Sequence, residues 1–464
     1  MTTNADASVE AGLTASSTTI SAELFAIPLE RGLHLVYAPL RRVAFVANAT
    51  LINALADIRE GRHESTAGTD RDLLDFFRGL RLIDSAPEET PSGELAGEPK
   101  PTSVTLFLTT ACNLRCTYCY AAAGDSATTA MPMHVAKRGI DFVARHAHRQ
   151  QQPFFGVGYH GGGEPTVLWR TMTGSFAYAE QRAGEIGIAV HGSLATNGML
   201  KDEQIDWIVE HLHGASVSFD GLPTVHDRHR VTRRGDGSSK RVIATLRRFD
   251  ETGFDYGVRV TVTRETIAQL ADSIEFICRQ FSTEHIQIEP AYLLGRWQGA
   301  ASAETAEFVA AFRDARSRAK HHGRKITFSA ARLDTLTGHF CAVSQDNFCL
   351  TPGGKVSACY EAFSENDPRA EIFLYGEPSA DKGYRFNLET LRHLRAQVAQ
   401  NRSFCAGCFA KWHCAGDCYY KELTIRQNGI FAGSARCEIT RELLKDEILD
   451  RIEASGGLFW HQPV

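Results

Sequence analysis

The period of hydrophobic and polar positions changes along the chain. Between about 22 and 84, two short alternating segments, "LHLVYAP" and "VAFVANA", flank a Pro/Arg turn. Two stretches at helical spacing follow, "TLINALADI" and "RDLLDFFRGLRLI". In the second, Leu73, Leu74, Phe76, Phe77 and Leu80 fall roughly on one face. This predicts a small α+β module over 22–85. The next stretch, "SAPEETPSGELAGEPKPT", is rich in Pro, Gly and Glu and reads as a linker over 86–102.

From 103 to about 300, strand-like and helix-like stretches alternate. The strand candidates are "VTLFLTT", "FFGVGYHGG", "IAVHGSLATNG", "GASVSFDG", "YGVRVTVT" and "HIQIEPAY", with helical stretches such as "DEQIDWIVEHL" between them. Repeated β-α units imply a parallel sheet. Six of them predict an α/β fold, a partial (β/α)6 barrel of TIM type over 103–325, with its active site at the C-terminal strand ends. From about 330 cysteines become frequent and helical periodicity weakens until "CEITRELLKDEILDRIEAS". This predicts a cysteine-held domain over 330–445 and a C-terminal tail over 446–464.

A length of 464 residues fits two or three domains. A net charge of −5 speaks against a general nucleic-acid binder, which needs a basic surface. No apolar run approaches the roughly 18–20 residues of a membrane span. The start, "MTTNADASVEAGLTASSTTI", lacks the basic and apolar regions of a secretory signal and reads as a disordered tail over 1–21. A cytoplasmic location is expected. There, twelve cysteines read as metal ligands or buried thiols rather than disulfides.

Candidate chemistry begins with "TTACNLRCTYCY", where Cys112, Cys116 and Cys119 follow the first barrel strand. Iron–sulfur clusters are held by thiolates, usually four for a [4Fe–4S] cube. Three thiolates can hold three irons and leave the fourth open for a ligand. A zinc site completed from elsewhere is the rival. Cys405-x2-Cys408-x5-Cys414-x3-Cys418 and Cys437, with Cys341, Cys349 and Cys359 upstream, make eight further cysteines, enough for two sites of four. Zinc also suits such pairs. Cys278, on an apolar helical face, reads as a buried thiol.

Cys-x3-Cys-x-aromatic-Cys after the first strand of a βα barrel, with Tyr118 as the aromatic, resembles the radical S-adenosylmethionine (radical SAM) enzymes. The resemblance implies that SAM chelates the open iron. An electron then cleaves SAM, and the resulting 5′-deoxyadenosyl radical takes a hydrogen atom from the substrate. "HGGGEPT" resembles the family's Gly-Gly-Glu motif, which implies Gly162, Gly163 and Glu164 near the amino group of SAM. "SVSFDGLPTVHDRHRVTRRGDGSS" resembles the stretch after the fourth strand, which implies Ser218 near the ribose or carboxylate and Arg230 near the carboxylate, with Asp220 shaping the pocket. Asn197, in "TNG", is a further SAM candidate.

The C-terminal cysteines resemble a SPASM domain, with Gly354 ahead of Cys359. By that likeness Cys341, Cys349, Cys359 and Cys418 hold one auxiliary [4Fe–4S] cluster. Cys405, Cys408, Cys414 and Cys437 hold the other, making three clusters in all. Sulfatase-maturing relatives place Asp directly after the cysteine aligned with Cys359. Here Tyr360 and Glu361 stand there and become the candidate proton acceptors.

The implied activity is maturation of a ribosomally made precursor peptide through a thioether or carbon–carbon crosslink. Maturation of a sulfatase or another protein is the alternative, and a zinc-binding module without catalysis is a second. Implied partners are the peptide, held by the N-terminal module as an added edge strand, and an electron donor such as flavodoxin or ferredoxin. No nucleic acid or membrane is expected among them.

Overall fold

The computed structural model describes residues 19–62, 71–91, 93, 95–297, 304–381, 383–426 and 431–460. Of the tail expected over 1–21, residues 1–18 lie outside the described residues. The backbone falls into two compact units, residues 1–90 with 446–464, and residues 91–445.

In the first unit, β1 (Phe25–Pro28), β2 (His34–Ala38) and β3 (Val43–Ala47) form an antiparallel meander. Two helices follow, Ala49–Arg59 and Arg71–Gly79. Asn48 caps the first, its side chain accepting from Leu51 N at 3.0 Å. Leu55, Ile58, Phe77 and Leu80 pack with Val36 and Phe45 in one core. Phe76, expected on the same face as Phe77, is 42% exposed. At 3.6 residues per turn, neighbouring positions point about 100° apart, so one of the two must leave the core.

The second unit is built on one eleven-stranded sheet. Its expected part is β4 (Ser103–Leu106), β5 (Phe154–Tyr159), β6 (Ala189–Thr196), β7 (Gly214–Ser218), β8 (Tyr256–Val262) and β9 (His285–Pro290), each parallel to the next. Strand β10 (Lys325–Thr327) adds beside β9. The alternation that predicts β8 is visible in burial, with Val258 and Val260 inside and Arg259 between them exposed. Helices including Met133–Arg149, Trp169–Ile186 and Leu270–Gln280 bury their apolar stripes against the sheet.

The cysteine-rich region continues this sheet instead of starting a new one. Strand β11 (Cys349–Leu350) pairs parallel with the edge of β4, and β12 (Val356–Ser357), β13 (Leu374–Ser379) and β14 (Gly383–Phe386) follow antiparallel. This pairing satisfies the open backbone groups of β4. It also places Cys349 one strand from the start of the "TTACNLRC" loop.

Of residues 446–464, expected as a tail, 446–460 instead supply the end of helix Ala435–Ala454 and β15 (Leu458–Trp460), and 461–464 lie outside the described residues. Strand β15 pairs antiparallel with β3 and becomes the fourth strand of the first unit's sheet. Three residues are too short to show a period, and their partner lies at the other end of the chain. Among the described residues no helix is long and apolar enough to cross a membrane.

Candidate active site

The loop carrying Cys112, Cys116 and Cys119 leaves the C-terminal end of β4 and has no regular structure of its own. Other segments hold it by its backbone. Arg115 N donates to Val231 O at 2.7 Å and Thr117 N to His229 O at 2.9 Å, so the stretch 229–232 straps it from one side. Arginines satisfy the three cysteine carbonyls. Cys112 O accepts from Arg115 Nη1 at 2.9 Å, Cys116 O from Arg296 Nη1 at 2.7 Å and Cys119 O from Arg296 N at 2.9 Å. Arg296 is anchored by Asp125 at 2.7 Å. At Gly295 a Cβ would stand 2.1 Å from Tyr120 O, so only glycine lets the two loops approach.

With the backbone satisfied, the three thiols remain as the loop's reactive groups. Burial, then Glu164, pushes Cys112 up to about 12. Burial pushes Cys116 up to about 11, against the pull of Arg230. Cys116 and Cys119 add to the shift of Cys112, so the three sense one another's charge. Cys112 and Cys116 are therefore poor anions alone and need a metal to become thiolates, with release of protons.

Behind β5, Glu164 N donates to Ala111 O at 2.9 Å, tying the glycine turn to the start of the cysteine loop. A Cβ on Gly163 would stand 2.1 Å from Ala111 O, and one on Gly162 would run into the Phe363 ring. Glu164 is 3% exposed and fully engaged inside the protein. Its Oε1 accepts from Thr166 N at 3.2 Å, Thr166 Oγ1 at 2.7 Å and Thr196 Oγ1 at 2.9 Å, and its Oε2 from Asn197 N at 2.7 Å. The carboxylate therefore braces the end of β6 against the glycine turn. Asn197 in turn donates from Nδ2 to Asn113 Oδ1 at 2.7 Å and lies 3.6 Å from Cys112 Sγ.

Ser218 ends β7 and is half-buried. Two residues on, Asp220 forms a buried ion pair with Arg230, Nε to Oδ2 at 3.0 Å and Nη2 to Oδ1 at 3.4 Å. Asp220 also accepts from Thr261 N at 3.0 Å and from the Tyr118 hydroxyl. The guanidinium expected to meet a ligand carboxylate is thus paired with a carboxylate of the protein. It also lies over the Tyr118 ring, 5.1 Å from the centroid. His229 bridges Thr117 Oγ1 at 2.7 Å and Thr263 Oγ1 at 3.0 Å. The sequence motifs give neither His229 nor Arg296 a role. His229 lies inside the stretch 216–239, one residue before Arg230, as an unassigned position of the His226-Asp227-x-x-Arg230 pattern, and no motif points to Arg296.

The eight C-terminal cysteines separate into two groups by mutual influence. Burial, then Cys418, Glu361 and Cys341, pushes Cys359 well up. Cys341 also acts on Cys349 and Cys418. In the other group, burial, then Cys408, Arg402 and Cys437, sets Cys405 at about 11, and Cys414 feels Cys437 and Cys405. Among the described residues, no three His, Cys, Asp or Glu side chains converge closely enough for a single metal ion. Cys278 is half-buried and belongs to neither group.

Tyr360 is 41% exposed and stacks on His160, centroids 4.7 Å apart, with Phe107 edge-on. Burial pushes the Tyr360 hydroxyl up to about 12 and the His160 imidazole down to about 4. Glu361 lies 3.6 Å from Lys421 Nζ, and its Oε2 is buried without a hydrogen bond.

Residues 106–277 match the Radical SAM superfamily model. The chain is 23% identical over 174 residues to the cysteine-type anaerobic sulfatase-maturating enzyme of Clostridium novyi, covering 36% of this chain and 46% of that protein. It is 27% identical over 183 residues to the sporulation killing factor maturation protein SkfB of Bacillus subtilis, covering 38% and 39%. The chain thus spans less than half the length of either curated relative. Among solved structures, anSMEcpe with bound AdoMet shares the fold with a TM-score of 0.61 at 16% identity, covering 77% of this chain and 95% of that one.

Proposed function

We propose that the chain is a SAM-dependent maturase of a peptide or protein, a reading supported by the radical SAM model that matches residues 106–277. It would hold a [4Fe–4S] cluster on Cys112, Cys116 and Cys119, and auxiliary clusters on the two groups of four C-terminal cysteines. The observation that carries this reading is the cysteine loop itself. Its three carbonyls are tied down by arginines, while its three thiols are left as ligands within reach of one another's charge. The donor set fits the group. Thiols that sense one another without converging suit a polynuclear cluster better than one zinc ion, whose thiolates lie only about 2.3 Å from the metal.

When bound, cluster and SAM supply a 5′-deoxyadenosyl radical that takes a hydrogen atom from the substrate. The protein's own residues position and shield. Gly162 and Gly163 bring backbone close to the ligand, Asn197 and Ser218 offer polar groups around it, and Glu164 and Asp220 hold the strand ends that carry them. Tyr360 and Glu361 stand by the cysteine of the first auxiliary group as candidates to accept a proton. The buried, unbonded Oε2 of Glu361 makes it the better acceptor of the two.

The preferred substrate is a ribosomally made precursor peptide, crosslinked through a thioether or carbon–carbon bond. The maturation protein SkfB supports this choice, as does Tyr360 where sulfatase-maturing enzymes carry Asp. The similarity to a sulfatase-maturating enzyme supports the second reading, maturation of a sulfatase.

Anaerobic purification tests both. About twelve irons with matching sulfide, and 5′-deoxyadenosine from SAM under reduction, are expected for three [4Fe–4S] clusters. Replacing Cys112, Cys116 and Cys119 with Ala should abolish SAM cleavage and leave about eight irons. Zinc in place of iron, with no SAM cleavage, would overturn the proposal. Mass spectrometry of a coexpressed neighbouring small peptide then separates the readings. A loss of about 2 Da per site marks a crosslink, a two-electron oxidation, and formylglycine in a sulfatase marks the rival.

A further inference from the structure

On the second unit, away from the strand ends that carry the cysteine loop, lies a groove of about 1090 Å3. Lys100, Lys137, Arg138, Arg145 and Arg149 line it. Four of these belong to one helix, Met133–Arg149, at spacings that return to one face. Lys100, Lys137, Arg145 and Arg149 are exposed. Among the described residues none of the five cations forms an ion pair. Lys137 instead lies 4.5 Å from the Tyr178 ring centroid. Three acids also line the groove, Glu98, Asp141 and Asp381. Asp141 is engaged by Arg182 at 2.9 Å and Asp381 by the Ser379 hydroxyl. Five cations against three carboxylates, one of them already paired with Arg182, leave the groove's lining net positive on a chain whose net charge is −5.

Its floor is aromatic. Phe142, Tyr384 and Phe386 line it. Phe142 stacks on Phe348, centroids 5.3 Å apart at 16°, and Tyr384 meets Phe348 edge-on at 5.1 Å. Phe348 directly precedes Cys349, whose Sγ accepts from Asn347 Nδ2 at 3.1 Å. Tyr384 is 2% exposed, yet its hydroxyl has no hydrogen-bond partner. Its strand, β14, is also the outer edge of the sheet, with backbone groups open to a partner.

We propose that this groove docks an acidic protein that carries single electrons, a flavin- or iron–sulfur-bearing reductant, and that the aromatic cluster beneath it leads to the metal group at Cys349. This rests on the function proposed above. One electron leaves the reduced carrier, enters at Cys349 and is passed on to cleave one SAM into methionine and the deoxyadenosyl radical. An acidic precursor peptide suits the groove less well. It must reach the C-terminal strand ends, and none of the groove's residues belongs to the candidate active site.

The test compares two reductants on the holoenzyme, reduced flavodoxin and dithionite, with 5′-deoxyadenosine as the readout. Combining Lys137→Glu, Arg145→Glu and Arg149→Glu should slow the flavodoxin-driven reaction at least about tenfold and leave the dithionite-driven one within about twofold, since a charged patch raises association rates by about 10–1,000-fold. On the unaltered enzyme, the flavodoxin-driven rate should fall steeply with salt. That measurement stands even if the triple variant fails to fold.

Flavodoxin rates indifferent to both the substitutions and salt would overturn the proposal. So would an equal fall with both reductants in a folded variant, which would mark the groove as a substrate site. If dithionite drives no SAM cleavage in the unaltered enzyme, the proposed function has failed instead. Direct binding of flavodoxin, with and without the substitutions, then still reports on the groove.

Discussion

Arg436 Nη1 lies 2.8 Å from Glu289 Oε2, joining the segment that bears Cys437 to the last expected barrel strand. The same guanidinium donates through Nε to Asp417 at 2.7 Å and through Nη2 to Ser329 Oγ at 2.9 Å. Arg436 is 5% exposed. Asp417 stands beside Cys418 and Arg436 beside Cys437, so one buried cation ties members of both C-terminal cysteine groups to β9. Replacing Arg436 with Met keeps the volume but strands two buried carboxylates. The expected cost is about 3–5 kcal/mol, the usual loss when one partner of a buried pair is removed. Chemical denaturation of the purified protein checks it, and a midpoint equal to that of the parent would refute it.

The same network sets an acid limit. Burial alone would raise the Glu289 carboxyl, but Arg436 and Lys421 hold it at about 2, below its ordinary value of 4.5. A carboxyl depressed by folding binds fewer protons in the folded state than in the unfolded one. Its contribution is therefore complete above about pH 4.5 and is lost as pH falls towards 2. Glu289→Gln should be less stable than the parent at neutral pH, and the gap should start to shrink below about pH 4.5 and close only towards pH 2. Denaturant midpoints of metal-free protein across that range measure it. A gap independent of pH would mean that Glu289 carries no charge-linked stability.

Much of this architecture is legible in the sequence, for identifiable reasons. Strands β4–β9 announce themselves because each is long enough to alternate and is separated from the next by a helical stretch. The cysteine loop and the glycine turn follow, because a parallel barrel puts such loops at its C-terminal strand ends. Strands β10, β11, β12 and β15 are two or three residues long and show no period. Their pairing is decided by which edge is open, which no local pattern records. The same holds for the strap from 229–232 and for Arg296, both contacts across more than 100 residues. Glu164 and Arg230 stood out as charges awaiting a ligand. Only packing reveals that each already has partners inside the protein.

Gly163 tests the close approach behind the cysteine loop. An added methyl group would stand 2.1 Å from Ala111 O and 2.6 Å from Thr109 O, backbone atoms that cannot swing aside as a side chain can. Gly163→Ala should therefore displace the loop at its root while leaving the helices and the core of the sheet intact. The expected result is at least about tenfold weaker SAM binding, or about 1.4 kcal/mol, with an unchanged far-ultraviolet circular dichroism spectrum. Calorimetric titration of SAM measures the first. Parent-like affinity would show that the turn is free to give.

Asp220 and Arg230 offer a separate test of positioning against simple stability. Arg230 is 6% exposed, and among the described residues its charge is met by Asp220 alone. Asp220→Asn keeps the shape and the acceptor for Thr261 N but leaves the guanidinium without its counter-charge. Arg230→Met removes the charge that Asp220 balances. Each single change should cost about 3–5 kcal/mol. The double change should cost less than the sum of the two, because neither leaves an unpaired ion once the other is made. Tyr118, whose hydroxyl donates to Asp220, lies between Cys116 and Cys119, so the same variants should also disturb the cysteine loop. Iron content per chain should fall by up to about four in either single variant if the loop has lost its cluster, and should hold steady if the pair serves the barrel alone. A double-mutant cycle with no coupling would overturn the pairing itself.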